Sequence, residues 1–186
     1  MSKNSEDRIE RLNKLMDLTT DAASGILRNL GALTPAFLGV GADGPFTVLE
    51  RPEEKDAFAD IIRLECVARR ASMGALIAEA WLTVLEPGQS TQATRPSQNP
   101  GRREYVILRG EAAGAAEIMR VLPILRNSQG GFSGLGKTEV CPGEGTGGRY
   151  SDLLPRSRPS DYERVAALNA LAAKRSAFRA AAYGRN

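Results

Sequence analysis

The alternation of hydrophobic and polar positions between Glu53 and Glu111 predicts one helix followed by two long strands. Acidic residues directly follow Pro52 in the sequence, where the positive end of a helix dipole favours them. Apolar residues then recur at helical spacing and form one broad stripe: Ala57, Phe58, Ile61, Ile62, Leu64 and Ala68. We therefore expect a helix from Glu53 onward whose apolar stripe covers a sheet.

Glu65 lies inside this stripe, and Arg69 follows one helical turn later. The simpler interpretation is an i,i+4 ion pair at the edge of the stripe, which contributes a few tenths of a kcal/mol. The alternative is a partly buried carboxylate with a function of its own. The ion pair is favoured, because structural pairs also place carboxylates in unusual surroundings.

From Gly74 to Leu85 the period of the pattern changes to two. One face of this segment is wholly apolar: Leu76, Ala78, Ala80, Leu82 and Val84. The other face is mixed: Ile77, Glu79, Trp81 and Thr83. The segment from Tyr105 to Arg109 repeats the alternation. One apolar face beside one mixed face is typical of an antiparallel sheet backed by a helix.

Pairing of these two strands is expected to gather six residues on the face away from the helix: Ile77, Glu79, Trp81, Tyr105, Ile107 and Arg109. Glu79 and Arg109 would then form a cross-strand charge pair. This face is too apolar to remain in water, so another segment of the chain covers it or a protein partner binds it. Trp, Tyr and Arg are common anchors of protein interfaces, which makes the six residues a candidate partner-binding site.

The strand with Glu79-Ala80-Trp81 is followed by a polar loop and then by Pro-Ser-x-x-Pro-x-Arg-x-Glu, from Pro96 to Glu104. In these motifs the stretch from Phe46 to Val140 resembles a family of uncharacterised bacterial and phage proteins, which has no assigned activity. In that family the loop often reads Ser-Glu-His-Pro-Asp-Arg, whereas here it reads Ser-Gln-Asn-Pro-Gly-Arg. Its titratable positions are neutral in this chain, so no acid–base role is carried over.

A second helix is predicted at the N-terminus, over residues 1–31, with Ser5 as its cap and Gly31 at its end. Its apolar positions alternate in steps of three and four: Ile9, Leu12, Met16, Thr19, Ala23, Ile26 and Leu30. Such a seam suits packing on the chain's own domain or association with a second subunit. The polar Thr19 and small Ala23 weaken the seam, which favours the first interpretation.

Three glycine-rich segments match nucleotide-binding motifs, and one of them, 143–148, fits G-x-G-x-x-G without a following helix. Gly39–Gly44 fits G-x-G-x-x-G, but a short strand, Phe46–Leu49, follows it instead of a helix, so it is predicted to be a loop. The segment 131–138 fits G-x-x-x-x-G-K-T, whose phosphate-binding residues would be Gly131, Gly136, Lys137 and Thr138. A P-loop needs a helix after Lys-Thr, and Pro142 opposes one. A glycine-rich strand or hairpin is therefore favoured there.

The remaining core is predicted from turn residues and short apolar runs. Residues 86–101 form a long polar loop, 110–114 a turn, and 116–125 a third strand. Pro123 indicates that this strand lies at an edge of the sheet or ends there.

The C-terminal segment, 159–183, is predicted to be a helix that starts with the capping box Ser160–Glu163. Its positive charge, represented by Lys174, Arg175 and Arg179, complements the helix dipole in the simpler interpretation. The alternative is that these residues contact nucleic-acid phosphates. The segment has neither interleaved aromatic residues nor a known nucleic-acid recognition motif to support it.

Composition restricts the chemistry further. The chain of 186 residues carries a net charge of +3 and contains no histidine and two cysteines. Catalytic systems and metal sites that need imidazole are thereby excluded, and no cofactor is expected. Cys66 and Cys141 are expected to be thiols in a reducing cytoplasm, and no secretory signal or membrane span is predicted.

The sequence therefore predicts an α+β fold with an antiparallel sheet of four to five strands. A core at 45–155 would carry a helix on one sheet face, with the N- and C-terminal helices outside. We expect a non-enzymatic cytosolic binding or assembly protein that acts on a protein partner or on a second copy of itself. The alternatives are phosphate or nucleotide chemistry at 131–138 and nucleic-acid binding through the C-terminal helix.

Overall fold

The computed structural model describes residues 3–49, 55–82, 101–113, 117–142, 150 and 152–183. Their elements run, in chain order, α1 (Lys3–Leu30), β1 (Ala36–Gly41), β2 (Gly44–Leu49), α2 (Lys55–Ala68), β3 (Met73–Leu82), β4 (Arg103–Ala112), β5 (Ile118–Arg126), β6 (Phe132–Leu135), β7 (Glu139–Pro142) and α3 (Asp161–Tyr183). The α+β prediction is confirmed. Most of the predicted loop at 86–101 lies outside these residues.

The seven strands form one antiparallel sheet in the order β2-β1-β3-β4-β5-β6, with β7 also paired to β5. The sheet is larger than the four to five strands predicted, and its first strand begins at Ala36. The interpretation of Gly39–Gly44 as a loop was wrong except at Ala42 and Asp43, because its first three residues lie in β1 and Gly44 begins β2. Gly39 is needed in this strand, because a Cβ there would stand 2.3 Å from the ring of Phe46.

Two other local predictions from proline and glycine were wrong. Gly110 continues β4 instead of forming a turn. A glycine stands at this strand position because α1 passes so close that a Cβ there would lie 2.6 Å from Sδ of Met16. Pro123 lies inside the sheet rather than at its edge, opposite Tyr105 of β4. Its carbonyl accepts a hydrogen bond from the amide of Gly136, at the gap between β6 and β7. In an antiparallel sheet the N–H and C=O of one residue face the same neighbouring strand. The N–H that Pro123 lacks would therefore point into this gap, where no strand needs it.

Helix α1 packs on one face of the sheet. Its fully buried positions are Leu12, Met16, Thr19, Ala23 and Leu27. The four apolar residues among them form one cluster with the buried side chains of β1, β3, β4 and β5. This confirms that α1 packs on its own sheet. The predicted seam was wrong at its end, where Leu30 is 76% exposed and Leu27 is buried, because a 3.6-residue turn drifts from a seven-residue repeat.

Helix α2 lies on the opposite face, between the sheet and α3. Toward the sheet it packs Phe58 and Ile62 against Phe37 and Leu76. Toward α3 it presents Ile61, Leu64, Val67 and Ala68, which surround Ala167 and Leu171. A helix that is apolar on nearly all sides is a buried helix, and α2 occupies such a position. Among the helices described, none is both long and apolar enough to cross a membrane.

Candidate functional site

The six residues of the predicted partner-binding face lie on two opposite faces of the sheet. The face that α1 covers carries the three from β3: Ile77, Glu79 and Trp81. The other face carries the three from β4: Tyr105, Ile107 and Arg109. The cause is the strand register, which sets Ile77 opposite Leu108 instead of Ile107. The expectation of one shared surface was wrong, while a role of any single residue in partner binding stays a prediction.

The predicted charge pair between Glu79 and Arg109 does not form, since the two side chains point to different faces. The carboxylate of Glu79 accepts a hydrogen bond from the amide of Leu33, at 3.0 Å, just beyond the end of α1. The guanidinium of Arg109 instead pairs with Glu117, with Nε and Oε1 2.6 Å apart. Trp81 is 39% exposed, and the guanidinium of Arg102 lies 4.5 Å from its ring centroid.

The P-loop-like segment has the geometry of strands and a turn. The amide of Gly131 donates to Oδ1 of Asn127 at 2.8 Å, and β6 begins at the next residue. The amide of Gly136 is bonded to the carbonyl of Pro123 at 2.7 Å. Strand β7 starts directly after Thr138, where a P-loop requires a helix. The strand-and-hairpin interpretation is confirmed, and the phosphate-binding alternative at Lys137 loses its structural basis.

Two of the three basic residues proposed for nucleic acid are paired with acids of α2. Nζ of Lys174 lies 3.6 Å from Oδ2 of Asp60, and Arg175 pairs with Glu65. Glu65 also accepts from Nε of Arg69 at 2.8 Å, so the predicted i,i+4 ion pair is confirmed. The carboxylate is only 4% exposed, and it joins α2 to α3. The side chain of Arg179 lies outside what the structure describes.

A pocket with four arginines lies where the β1–β2 turn meets the ends of α2 and β4. Its volume is about 460 Å³. Its walls come from the start of α1, the β1–β2 turn, the α2–β3 connection, the end of β4 and a connector at 155–159. The arginines are Arg8, Arg70, Arg156 and Arg158, and none of the lining residues is an acid or an aromatic.

Two of these arginines hold the walls together. Nη1 of Arg8, on α1, donates to the carbonyl of Ala113 at 2.6 Å and so fastens the helix to the end of β4. Nε of Arg70, behind α2, donates to the carbonyl of Pro159 at 3.0 Å. Nη2 of Arg70 also lies 2.7 Å from Oδ1 of Asp161 at the start of α3. These bonds join α1 to the end of β4, and the segment after α2 to the connector and to α3.

The other two arginines are exposed to solvent. Arg156 stands 3.6 Å from Asp152 in an ion pair whose side chains are 88% and 72% exposed, which is a weak interaction in water. Arg158 makes no hydrogen bond or ion pair with any residue that the structure describes. The hydroxyls of Ser72 and Ser157 add polar groups to the same pocket. The lining itself holds no carboxylate, and the acids that pair with Arg70 and Arg156 lie outside it. The pocket therefore offers guanidinium groups to an anion.

The described residues suggest no competing catalytic or metal site. Burial raises the pKa of the Cys66 thiol, with smaller contributions from the nearby carboxylates of Glu111 and Glu65. A buried thiol of this kind is a poor nucleophile, because the thiolate is the reactive form. No group of three or more Cys, Asp or Glu side chains in the described ranges is arranged to hold a metal ion.

The sequence alone did not reveal the pocket. Arg156 and Arg158 lie two residues apart between Pro155 and Pro159, and that spacing was the available signal. Arg8 and Arg70 join them only through tertiary packing, which no local pattern records. Comparison with protein-family models, with curated proteins and with solved structures gives no match.

Proposed function

We propose that the chain is a binding protein for a small polyanion, which it takes in the four-arginine pocket. The observation that carries this proposal is the lining itself, with four guanidinium groups and no carboxylate. Arg8 and Arg70 hold the walls through backbone carbonyls, and Arg156 and Arg158 extend into solvent as ligand contacts. This division of roles leaves two arginines available to neutralise a ligand.

The lining also limits the chemistry of the ligand. Planar guanidinium forks match phosphate and carboxylate groups, to which they bind with two parallel hydrogen bonds. The volume of about 460 Å³ falls in the range of small-molecule sites and exceeds what one inorganic anion fills. No aromatic side chain lines the pocket to stack on a nucleobase. The ligand expected is a compact molecule with two or more phosphate or carboxylate groups.

Calorimetric titration with pyrophosphate and with citrate tests the proposal and separates the two anion chemistries. Binding of at least one ligand is expected, and Arg158→Gln should weaken it about tenfold, the equivalent of about 1.4 kcal/mol. Arg28→Gln is the matched control, because it removes one exposed positive charge near the other end of α1. Absence of heat with both ligands, or equal losses in the two variants, would reject a specific site.

A second function, assembly with a protein partner or a second copy, is favoured by the outer side of α3. Tyr162, Val165 and Leu168 are 83%, 56% and 51% exposed, while Ala167 and Leu171 face α2. Such a row of exposed apolar side chains on one helix is typical of an interaction surface. Sedimentation should then give a dimer that Leu168→Glu dissociates, with Leu30→Glu as the control at another exposed leucine. A monomer across the concentration range would leave only a foreign partner for this surface.

A further inference from the structure

Glu111, near the end of β4, holds the chain just before the pocket connector. Its Oε2 atom accepts hydrogen bonds from the amide of Leu153, at 3.1 Å, and from the amide of Leu154, at 3.2 Å. The side chains of both leucines are buried in the cluster between the sheet and α2. One carboxylate oxygen therefore fixes two consecutive backbone groups.

The next residue in the chain, Pro155, is the first of five connector residues that line the pocket: Pro155, Arg156, Ser157, Arg158 and Pro159. The far end of the connector is held separately, by the bond from Nε of Arg70 to the carbonyl of Pro159. The residues that carry the two exposed arginines thus span between two anchors. Glu111 is the anchor on the N-terminal side.

The surroundings of Glu111 are charged and largely buried. From β4 itself, Nε of Arg109 lies 3.7 Å from Oε1, and from the start of β5 the carboxylate of Glu117 pairs with the same arginine. From α2, the thiol of Cys66 lies within electrostatic reach of this carboxylate. Burial raises the pKa of Glu111, and Glu117 adds to this, while the two amides and Arg109 oppose it. The fold keeps this glutamate despite the cost of burying its charge.

We propose that Glu111 is a positioning residue for the pocket: by holding Leu153 and Leu154 it fixes the connector and aims Arg156 and Arg158 at the ligand. This inference rests on the proposed function and goes beyond it. Glu111 is absent from the pocket lining, so it acts through the connector alone.

The acceptor oxygen, rather than the negative charge, performs this task. A carbonyl-type oxygen has two lone pairs and accepts two N–H groups whether or not the rest of the side chain is charged. Glutamine at position 111 therefore keeps the anchor, while alanine removes it. Glu104→Ala is the matched control, since Glu104 is a half-buried acid at the other end of β4 that pairs with Arg126.

The test combines two measurements on the full chain. Hydrogen exchange at the amides of Leu153 and Leu154 reports the anchor, and pyrophosphate titration reports the pocket. Glu111→Ala should speed exchange at both amides and weaken pyrophosphate binding about tenfold or more, the scale of a lost hydrogen bond to a charged group. Glu111→Gln should retain slow exchange and wild-type affinity, and Glu104→Ala should do the same.

The outcomes separate the inference from the function on which it rests. Fast exchange in Glu111→Ala with unchanged pyrophosphate affinity overturns the positioning role but leaves the binding function. An equal loss of affinity in Glu111→Ala and Glu111→Gln overturns the role of the acceptor oxygen. If wild type binds neither pyrophosphate nor citrate, the proposed function fails, and the exchange data alone then decide whether Glu111 anchors the connector.

Discussion

The two faces of the sheet differ in the balance of apolar and polar contacts. On one face, α1 buries a row of side chains that is apolar except for Thr19 and includes Leu12, Met16 and Leu27. On the other, α2 and the connector combine apolar packing with side chains that bond distant backbone groups, as Glu111 does with Leu154 and Arg70 with Pro159. Polar bonds to distant backbone groups occur on the first face as well, where Arg8 of α1 donates to the carbonyl of Ala113, but its cluster of buried apolar side chains is the larger. We therefore expect the α1 face to contribute more to stability, while the proposed ligand contacts Arg156 and Arg158 lie in the connector on the other.

The largest expected effect tests where the apolar row of α1 lies. Leu27→Ala should lower the free energy of unfolding by about 2–5 kcal/mol, because it opens a cavity at a fully buried position. Leu30→Ala should change it by less than about 0.5 kcal/mol, because that side chain is 76% exposed. Urea unfolding of both variants checks the prediction. The seven-residue repeat instead predicts a larger loss for Leu30→Ala than for Leu27→Ala. Such a result would mean that α1 packs on the sheet through a different side.

The next effect concerns the close approach of α1 to β4. Gly110→Val should destabilise the fold by about 1–3 kcal/mol, because its Cβ would meet the side chain of Met16. Thermal unfolding of Gly110→Val, alone and combined with Met16→Ala, measures this. The shorter partner should restore part of the loss, whereas two strictly additive losses would contradict the contact.

On the opposite face, Arg70→Gln should cost about 1 kcal/mol of unfolding free energy, since it removes bonds to Pro159 and Asp161. Arg158→Gln should leave stability within about 0.5 kcal/mol, because no described residue bonds it. Chemical denaturation of the two variants measures whether Arg70 supports the fold while Arg158 does not. Equal destabilisation by both would show that Arg158 also supports the fold.

The smallest expected effect is a pH dependence. The pKa of Glu111 is raised in the folded state, so the folded chain binds more protons than the unfolded chain above the ordinary pKa. The contribution of Glu111 to the free energy of unfolding is fully present below about pH 4.5, and it decreases as the pH rises through the folded-state pKa. Glu111→Gln should lack this decrease and be more stable than wild type at neutral pH. Urea titrations from acidic to neutral pH check the sign, and a parallel pH profile of both proteins would refute it.

Periodicity predicted the helices and strands more reliably than how they pair and pack. The stripes of α1 and α2 and the alternation in β3 and β4 were visible, because each is repeated over several turns or residues. The register of β3 on β4 was not, since Ile77 fits opposite Ile107 as well as opposite Leu108 until the rest of the sheet is placed. β1 was missed because its glycines suggested a linker, although Gly39 makes room for Phe46. The pocket was missed because its four arginines come from three distant segments.

The position of α1 has a consequence for folding. Arg8 and Arg120 bond partners that lie 105 and 103 residues away in the chain. A helix whose contacts are this distant gains its packing only after the long intervening chain has closed into a sheet, which makes folding slow. At about 5–20 residues per second of synthesis, roughly five to twenty seconds separate the translation of α1 from that of β5. Until the sheet is complete, Leu12, Met16 and Leu27 lack strands that bury them, and exposed apolar surface of this kind makes a folding chain prone to aggregation.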